Sequence, residues 1–269
     1  MKKPKIIFVD LDGTTLDTQE IQFWKRSVTE YTQKVVKELQ KTISVVISTG
    51  RGVSERTMNI ARLLGSESYI AWNGAKTVDN GVIISEEFAD KEVSQELFDE
   101  IAKNKCVVIY NSDTKNKTFA SNWFYRFIMK RTGVLAKKYS EYKNDFDMYK
   151  AFVRGVSKKK ILKLEKEWSK KFEGRLTVTL TGDNNSLEIT RVGVSKGDAE
   201  VKYCLLKGID PKDAVHFGDS MNDASTKGKI GKLIAMQNSV QELKDIADDI
   251  TQYTCAESGL AKYLEKYLD

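Results

Sequence analysis

The apolar run Ile6-Ile7-Phe8-Val9 breaks off abruptly at Asp10-Leu11-Asp12-Gly13-Thr14. Large apolar residues in unbroken succession, with no polar alternation, describe a strand buried on both faces, as in a parallel sheet covered by helices. The next eighty residues repeat that grammar. Ile21, Trp24, Val28, Tyr31, Val35 and Leu39 stand three or four residues apart, which predicts one long amphipathic helix. Residues 44–48 read as a second strand ending in Thr49-Gly50-Arg51-Gly52. Ser54 then caps a helix that carries Met58, Ala61 and Leu64 and stops at Gly65. Residues 69–72 read as a third strand, followed by Asn73-Gly74. Strand–helix–strand–helix–strand is the order of a Rossmann-like parallel α/β sheet.

From about residue 86 the pattern changes. Residues 107–110, 149–153, 176–180 and 186–190 all look like strands, with a helix over 157–172 that carries Ile161, Leu164, Trp168 and Phe172 on one face. The last two strands, joined by Gly182-Asp183-Asn184-Asn185, read as a hairpin. This is α+β grammar. After Gly193 the α/β pattern returns. A helix runs from Lys196 to Leu206, and a strand over 214–217 enters Gly218-Asp219. Ser239 with Glu242 suggests a capping box, and Leu260, Tyr263, Leu264, Tyr267 and Leu268 mark a last helix. The expected architecture is therefore an α/β core built from residues 1–85 and 191–269, with an α+β cap domain, 86–190, inserted into it.

The 269 residues suffice for two such domains without a disulfide or metal staple. No apolar stretch approaches the roughly 20 residues of a membrane helix. The apolar run after Met-Lys-Lys is cut by Asp10, so no secretory signal is expected. Cys106, Cys204 and Cys255 are scattered without metal-ligand spacing, as a reducing cytoplasm permits, and a cytoplasmic location is expected. The single histidine, His216, lies in an apparent buried strand and reads as structural, which leaves proton transfer mainly to carboxylates. Residues 91–190 carry 21 Lys/Arg against 13 Asp/Glu, whereas the remainder carries 23 against 25. A positive cap either faces an anionic ligand or presents a solvated lysine-rich surface.

The residue types that carry chemistry sit at strand ends. Strand alternation followed by a turn can aim Asp10 and Asp12 into one crevice at the carboxyl end of the sheet, where α/β proteins bind ligands. Thr49 and Gly50 supply a hydroxyl and a backbone N–H suited to phosphate oxygens, and Lys196 supplies a fixed charge at the start of a helix. Asp219 and Asp223, in Gly218-Asp219-Ser220-Met221-Asn222-Asp223, add two carboxylates on another turn after a strand. Hard oxygen ligands around a phosphate site point to Mg²⁺.

On these four motifs the chain resembles the haloacid dehalogenase superfamily of phosphohydrolases. It is most similar to the Cof-type branch, through Ser48-Thr49-Gly50-Arg51, Asn73-Gly74, Leu187-Glu188-Ile189 before Val194-Ser195-Lys196-Gly197, and Gly218-Asp219 with Asn222-Asp223. Asp12 and Thr49 stand 37 positions apart, Thr49 and Lys196 147 apart, so the insert lies where members with the larger α+β cap carry it. Two departures stand out: Ala224-Ser225-Thr226 where the family continues with an apolar pair, and Lys232-Leu233-Ile234 where a glycine is common before Ala235-Met236. The resemblance implies Asp10 as nucleophile and Asp12 as general acid and base. It implies Mg²⁺ held by Asp10, Asp12 through its carbonyl, and Asp219, with Asp223 in direct or indirect support. Thr49, Gly50, Asn73 and Asn222 would contact the substrate or its phosphate, and Lys196 would neutralise charge. A small phosphorylated metabolite is the implied substrate.

Two other readings compete. A phosphosugar mutase shares the nucleophile and cap type. A nucleic-acid or anion-binding protein could use Trp123, Phe124, Tyr125, Arg126, Phe127, Lys130 and Arg131, where aromatic and basic residues interleave. The plainer account of the latter is an amphipathic helix with Phe124, Phe127, Ile128 and Arg131 on its core face, so nucleic acid is not the expected partner.

Overall fold

The structure is a computed structural model that describes residues 3–22, 25–131, 133–155, 157–181 and 185–268. The chain divides into two compact units, residues 1–86 with 195–269, and residues 87–194. The crossings thus follow Glu86 and Val194. The second lies beyond residue 190 because the strand Ser186–Arg191 is hydrogen-bonded throughout to its hairpin partner.

The first unit begins with β1 (Ile6–Val9), α1 (Glu30–Leu39), β2 (Ser44–Ser48), α2 (Glu55–Leu63), β3 (Tyr69–Ala71), β4 (Lys76–Asp79) and β5 (Val82–Glu86). The second holds α3 (Lys91–Lys103), β6 (Val107–Tyr110), β7 (Thr118–Phe119), α4 (Trp123–Arg131), β8 (Ala136–Lys137), β9 (Ala151–Arg154), α5 (Lys158–Lys171), β10 (Leu176–Thr181) and β11 (Ser186–Arg191). The first unit resumes with α6 (Lys196–Leu206), β12 (Ala214–Gly218), β13 (Lys232–Ala235), α7 (Gln241–Ile246), β14 (Asp249–Ile250) and α8 (Gly259–Leu264).

Among the described residues the first unit forms an eight-stranded sheet in the order β14-β13-β12-β1-β2-β3-β4-β5. The pairs from β14 to β3 are parallel, and β4 and β5 add an antiparallel hairpin beyond β3. β1 lies centrally between β12 and β2, and all four of its residues are fully buried, as its unbroken apolar run requires. Ile6 and Phe8 pack with Val46 and Ile70 against Ala199, Tyr203 and Cys204 of α6. Burying a side chain of this size stabilises the fold by about 1.5–3 kcal/mol. The second unit is a sheet in the order β10-β11-β9-β6-β7-β8. Leu97 and Ile101 of α3 and Ile161, Leu164 and Trp168 of α5 form one core with Val108, Val153, Leu187 and Ile189 of the strands. Among the described residues no helix is long and apolar enough to cross a membrane, and Cys106, Cys204 and Cys255 are free and buried.

Several local expectations are revised. The helix read from Ile21 to Leu39 begins only at Glu30. Ile21 is 98% exposed, and Trp24 lies outside the described residues. The cause is Asp17, whose buried carboxylate accepts from Thr29 N, Thr29 Oγ1, Thr32 Oγ1 and Ser258 Oγ at 2.6–2.8 Å. It thereby fixes Thr29 as an extended N-cap and forbids a helix through it. Ser239 does not cap α7, which starts after Val240; its hydroxyl donates to the Gly218 carbonyl at 3.2 Å. The third strand stops at Ala71 because Trp72 and Asn73 take positive φ. β9 starts at Ala151 because the Asn111 side chain accepts from the Tyr149 and Lys150 backbone N–H groups first. The linking residues Gly182, Asp183 and Asn184 lie outside the described residues, as do the side chains of Phe124, Tyr125 and Ile128. Phe127 is 51% exposed with the Arg131 guanidinium 4.9 Å above its ring, so this pair does not join the core face expected of it.

Candidate active site

Asp10 continues β1 by one residue, donating its backbone N–H to Phe217 O at 2.9 Å. The chain then turns tightly, with the N–H groups of Thr14, Thr15 and Leu16 all directed at Leu11 O. Thr15 Oγ1 donates to Asp10 O at 2.5 Å, and Asn238 Nδ2 donates to Gly13 O at 2.8 Å. Gly13 has φ +79°, and a Cβ there would stand 2.1 Å from Asp219 Oδ2. Glycine is thus what lets the Asp219 carboxylate close on the turn after Asp10. The Asp12 carboxylate is turned to Arg51, which clamps it with Nε and one terminal nitrogen, both at 2.6 Å.

The ends of β2 and β3 meet through backbone bonds: Thr49 N donates to Ile70 O, and Asn73 N to Thr49 O at 3.0 Å. Asn73 Oδ1 accepts from Asn222 Nδ2 at 3.0 Å and stands 3.0 Å from where a Gly50 Cβ would be. Thr49, Gly50, Asn73 and Asn222 are therefore gathered at one place. Lys196 opens α6, whose N-cap Ser195 accepts from Asp198 N. Its fully buried ammonium donates to Asp10 Oδ1 at 2.7 Å and Asp223 Oδ1 at 2.6 Å. This brings a residue 186 positions along the chain onto the end of β1. The helix can approach so closely because Gly197 has no Cβ; one would lie 2.0 Å from Ser225 O.

In the segment after Asp223 that departs from the family pattern, the hydroxyls of Ser225 and Thr226 are satisfied locally. Ser225 Oγ donates to Asn222 O and accepts from Gly197 N, and Thr226 Oγ1 donates to Asp223 O. At the other departure, Leu233 and Ile234 are buried in β13 and Lys232 is exposed.

Asp223 is enclosed by donors. Oδ1 takes Lys196 Nζ and His216 Nε2, and Oδ2 takes the backbone N–H groups of Asp219 and Ser220 at 3.0 and 3.1 Å. His216 Nδ1 in turn meets Glu200 Oε1 at 2.8 Å, both groups fully buried. Sequence reasoning leaves Glu200 and Arg51 without a role. Glu200 is four residues after Lys196 on one helix, and Arg51 is two after Thr49, so spacing holds a signal for each. His216 is buried as expected, yet it is part of the site's charge network.

The electrostatics follow from burial and from these partners. Burial, opposed by Lys196, raises Asp10 to about 6. Burial, reinforced by Asp10 and Asp223, pushes Asp219 up to about 8. Burial would raise Asp223 too, but Lys196 and His216 outweigh it and hold that carboxyl well below the usual range. Burial disfavours charged His216, yet Glu200 and Asp223 raise it to about 9, an imidazolium between two carboxylates. Lys196, likewise opposed by burial, is held above its ordinary value by Asp10 and Asp223.

Carboxylate oxygens of Asp10, Asp219 and Asp223 lie within 4.8 Å of one another. Such a set of hard oxygen donors fits a divalent cation. Because both oxygens of Asp223 already take two protein donors each, Asp10 and Asp219 are the better-fitting direct ligands.

The profile of the haloacid dehalogenase-like hydrolases matches residues 7–264. A protein of Buchnera aphidicola subsp. Baizongia pistaciae with a provisional phosphatase name is 31% identical over 248 residues, covering 89% of this chain and 88% of that one. The 5-amino-6-(5-phospho-D-ribitylamino)uracil phosphatase YcsE of Bacillus subtilis (strain 168) is 25% identical, covering 98% of this chain and 96% of its own. In fold, SMU.1108c of Streptococcus mutans UA159 superposes with a TM-score of 0.82 at 19% identity, each chain covered to 99%. With the motif residues lying together at the strand ends and the profile spanning nearly the whole sequence, this chain belongs to the haloacid dehalogenase-like hydrolases, in their Cof-type branch.

Proposed function

We propose that this protein is a cytoplasmic, Mg²⁺-dependent phosphatase of small phosphorylated metabolites, acting through a phosphorylated Asp10. The observation that carries the reading is the buried Lys196, held at 2.7 and 2.6 Å between Asp10 and Asp223 at the end of β1. Such a lysine fixes one oxygen of Asp10 and sets a full positive charge where phosphoryl charge develops.

In this reading the Asp10 carboxylate attacks phosphorus as the ester P–O bond breaks, and Asp12 protonates the departing oxygen. Asp12 then takes a proton from the water that hydrolyses the acyl phosphate, returning Asp10 and releasing inorganic phosphate. Asp12 is held by Arg51 in the structure, so it must leave that clamp to reach the leaving oxygen. Thr49, Gly50, Asn73 and Asn222 orient the phosphoryl group, and Lys196 neutralises it. Asp10, the Asp12 carbonyl and Asp219 would hold Mg²⁺, while Asp223 positions Lys196 and the Asp219-Ser220 turn. When bound, the ion supplies positive charge against the transferring oxygens. The inserted unit, 87–194, is assigned the choice of substrate.

The test is a phosphate-release screen over phosphorylated metabolites with Mg²⁺ and with excess chelator. Sugar phosphates, flavin and pyridoxal phosphates, nucleoside monophosphates and 5-amino-6-(5-phospho-D-ribitylamino)uracil belong on the panel, the last because a relative is named for it. Asp10→Asn should lower turnover on the order of 10⁴-fold or more with the fold intact. Near-normal release by the folded variant, or full activity in chelator, overturns the mechanism. Isomerised sugar phosphate in place of inorganic phosphate would favour the mutase reading, which shares the nucleophile.

A further inference from the structure

The proposed chemistry leaves a group of cations beside the nucleophile turn without a task. Arg56, in the first turn of α2, reaches back 30 residues and donates to Arg26 O at 2.7 Å. Between these segments lies an open cleft of about 480 Å³, lined by Lys25, Arg26, Ser27, Glu55, Arg56 and Asn59. Its walls thus bring three cations against one carboxylate, with hydroxyl and amide donors among them. A second cavity, of about 380 Å³, has Gly13, Thr18, Gln19, Asn238 and again Arg26 in its lining. Arg26 therefore links the cleft to the turn that carries Asp10 and Asp12. Burial and the charge of Arg51 both weaken Arg56's hold on its proton, with Asp12 opposing them, so Arg56 lies within the field of the Arg51–Asp12 pair. Arg51 itself is already matched to a carboxylate. Cations held together beside a matched pair lower the free energy of an incoming anion, and a cleft of this size exceeds what a single phosphate or carboxylate needs.

We propose that Arg56, Arg26 and Lys25 form a second anion subsite in the core unit, which selects phosphate monoesters carrying a further carboxylate or phosphate. The proposal rests on the phosphatase reading for what happens to the ester, but the subsite itself can be read by binding alone. Matched ligands isolate it: fructose 1,6-bisphosphate against fructose 6-phosphate for a second phosphate, and 3-phosphoglycerate against glycerol 3-phosphate for a carboxylate. Each is measured as a competitor of p-nitrophenyl phosphate turnover and by calorimetric titration of the Asp10→Asn protein. The doubly anionic member of at least one pair should bind about tenfold tighter or more. Arg56→Ala should remove most of that ratio, Arg56→Lys should keep much of it, and Lys25→Glu, on an exposed side chain, should lower it without touching the fold. A ratio near one in the wild-type protein, or a ratio unmoved in folded Arg56→Ala and Lys25→Glu, overturns the subsite. Were no ester hydrolysed while the ratio still depended on Arg56, the phosphatase reading would fall and the subsite would stand. Ester hydrolysis with an unmoved ratio gives the reverse.

Discussion

Glu200, His216 and Asp223 are each fully buried, and the imidazole meets one carboxylate with either nitrogen. Glu200 Oε2 has no hydrogen-bond partner among the described residues, so this network is only partly satisfied. Breaking a buried ion pair from one side strands the other charge and commonly costs about 3–5 kcal/mol, whereas replacing both partners by apolar groups is often neutral. His216→Leu should therefore destabilise the protein by about 3–5 kcal/mol in denaturant unfolding, and Glu200→Leu combined with it should recover most of that loss. A single variant as stable as the wild type would show that Glu200 is accommodated without the imidazole.

At the scale of elements, the hairpin of β4 and β5 is tied to α6 by Asp79. Its carboxylate accepts from Ser68 Oγ at 2.9 Å and from Tyr203 OH and Lys207 Nζ at 2.7 Å. Burial would raise Asp79, but those donors outweigh it and hold the carboxyl below its ordinary 3.8. A carboxylate lowered in this way stabilises the fold above its unfolded value and loses that contribution as pH falls through the folded one. The wild-type protein should lose stability below about pH 4 in part through this group. Asp79→Asn should cost about 1–2 kcal/mol at pH 7 and show a shallower acid limb. Parallel acid limbs for the two proteins, followed by circular dichroism, would remove Asp79 from the account. The hairpin is absent from the elements expected of the sequence, although Asn80-Gly81 between Lys76-Thr77-Val78 and Val82-Ile83-Ile84 is a strong turn signal. Asn80 and Gly81 both take the positive φ such a turn needs. The first helix errs the other way, because Ile21 and Val28 keep helical spacing while Asp17 has claimed the backbone that would carry it.

For the whole molecule, the separate units differ in charge, with 21 Lys/Arg against 13 Asp/Glu in residues 91–190. If that charge draws an anionic substrate toward the enzyme, kcat/KM for a small phosphate ester should fall as ionic strength rises while kcat changes little. Steering of this kind is screened once the Debye length drops below about 8 Å. A kcat/KM indifferent to salt would make the lysine-rich surface a solvated face. The strand–helix alternation that opens the first unit, the strand-end positions of Asp10, Thr49 and Asp219, and the place of Lys196 at the start of a helix were legible from sequence alone. Apolar period and turn chemistry are local properties, and parallel strands joined by helices bring their carboxyl ends to one edge whatever fills the interior. Which partner each charge takes was not legible. Arg51 on Asp12, Lys196 between Asp10 and Asp223, and His216 between Asp223 and Glu200 join residues as far as 186 positions apart. Those pairings depend on side-chain packing at distances of an ångström or less, so only the tertiary structure could decide them.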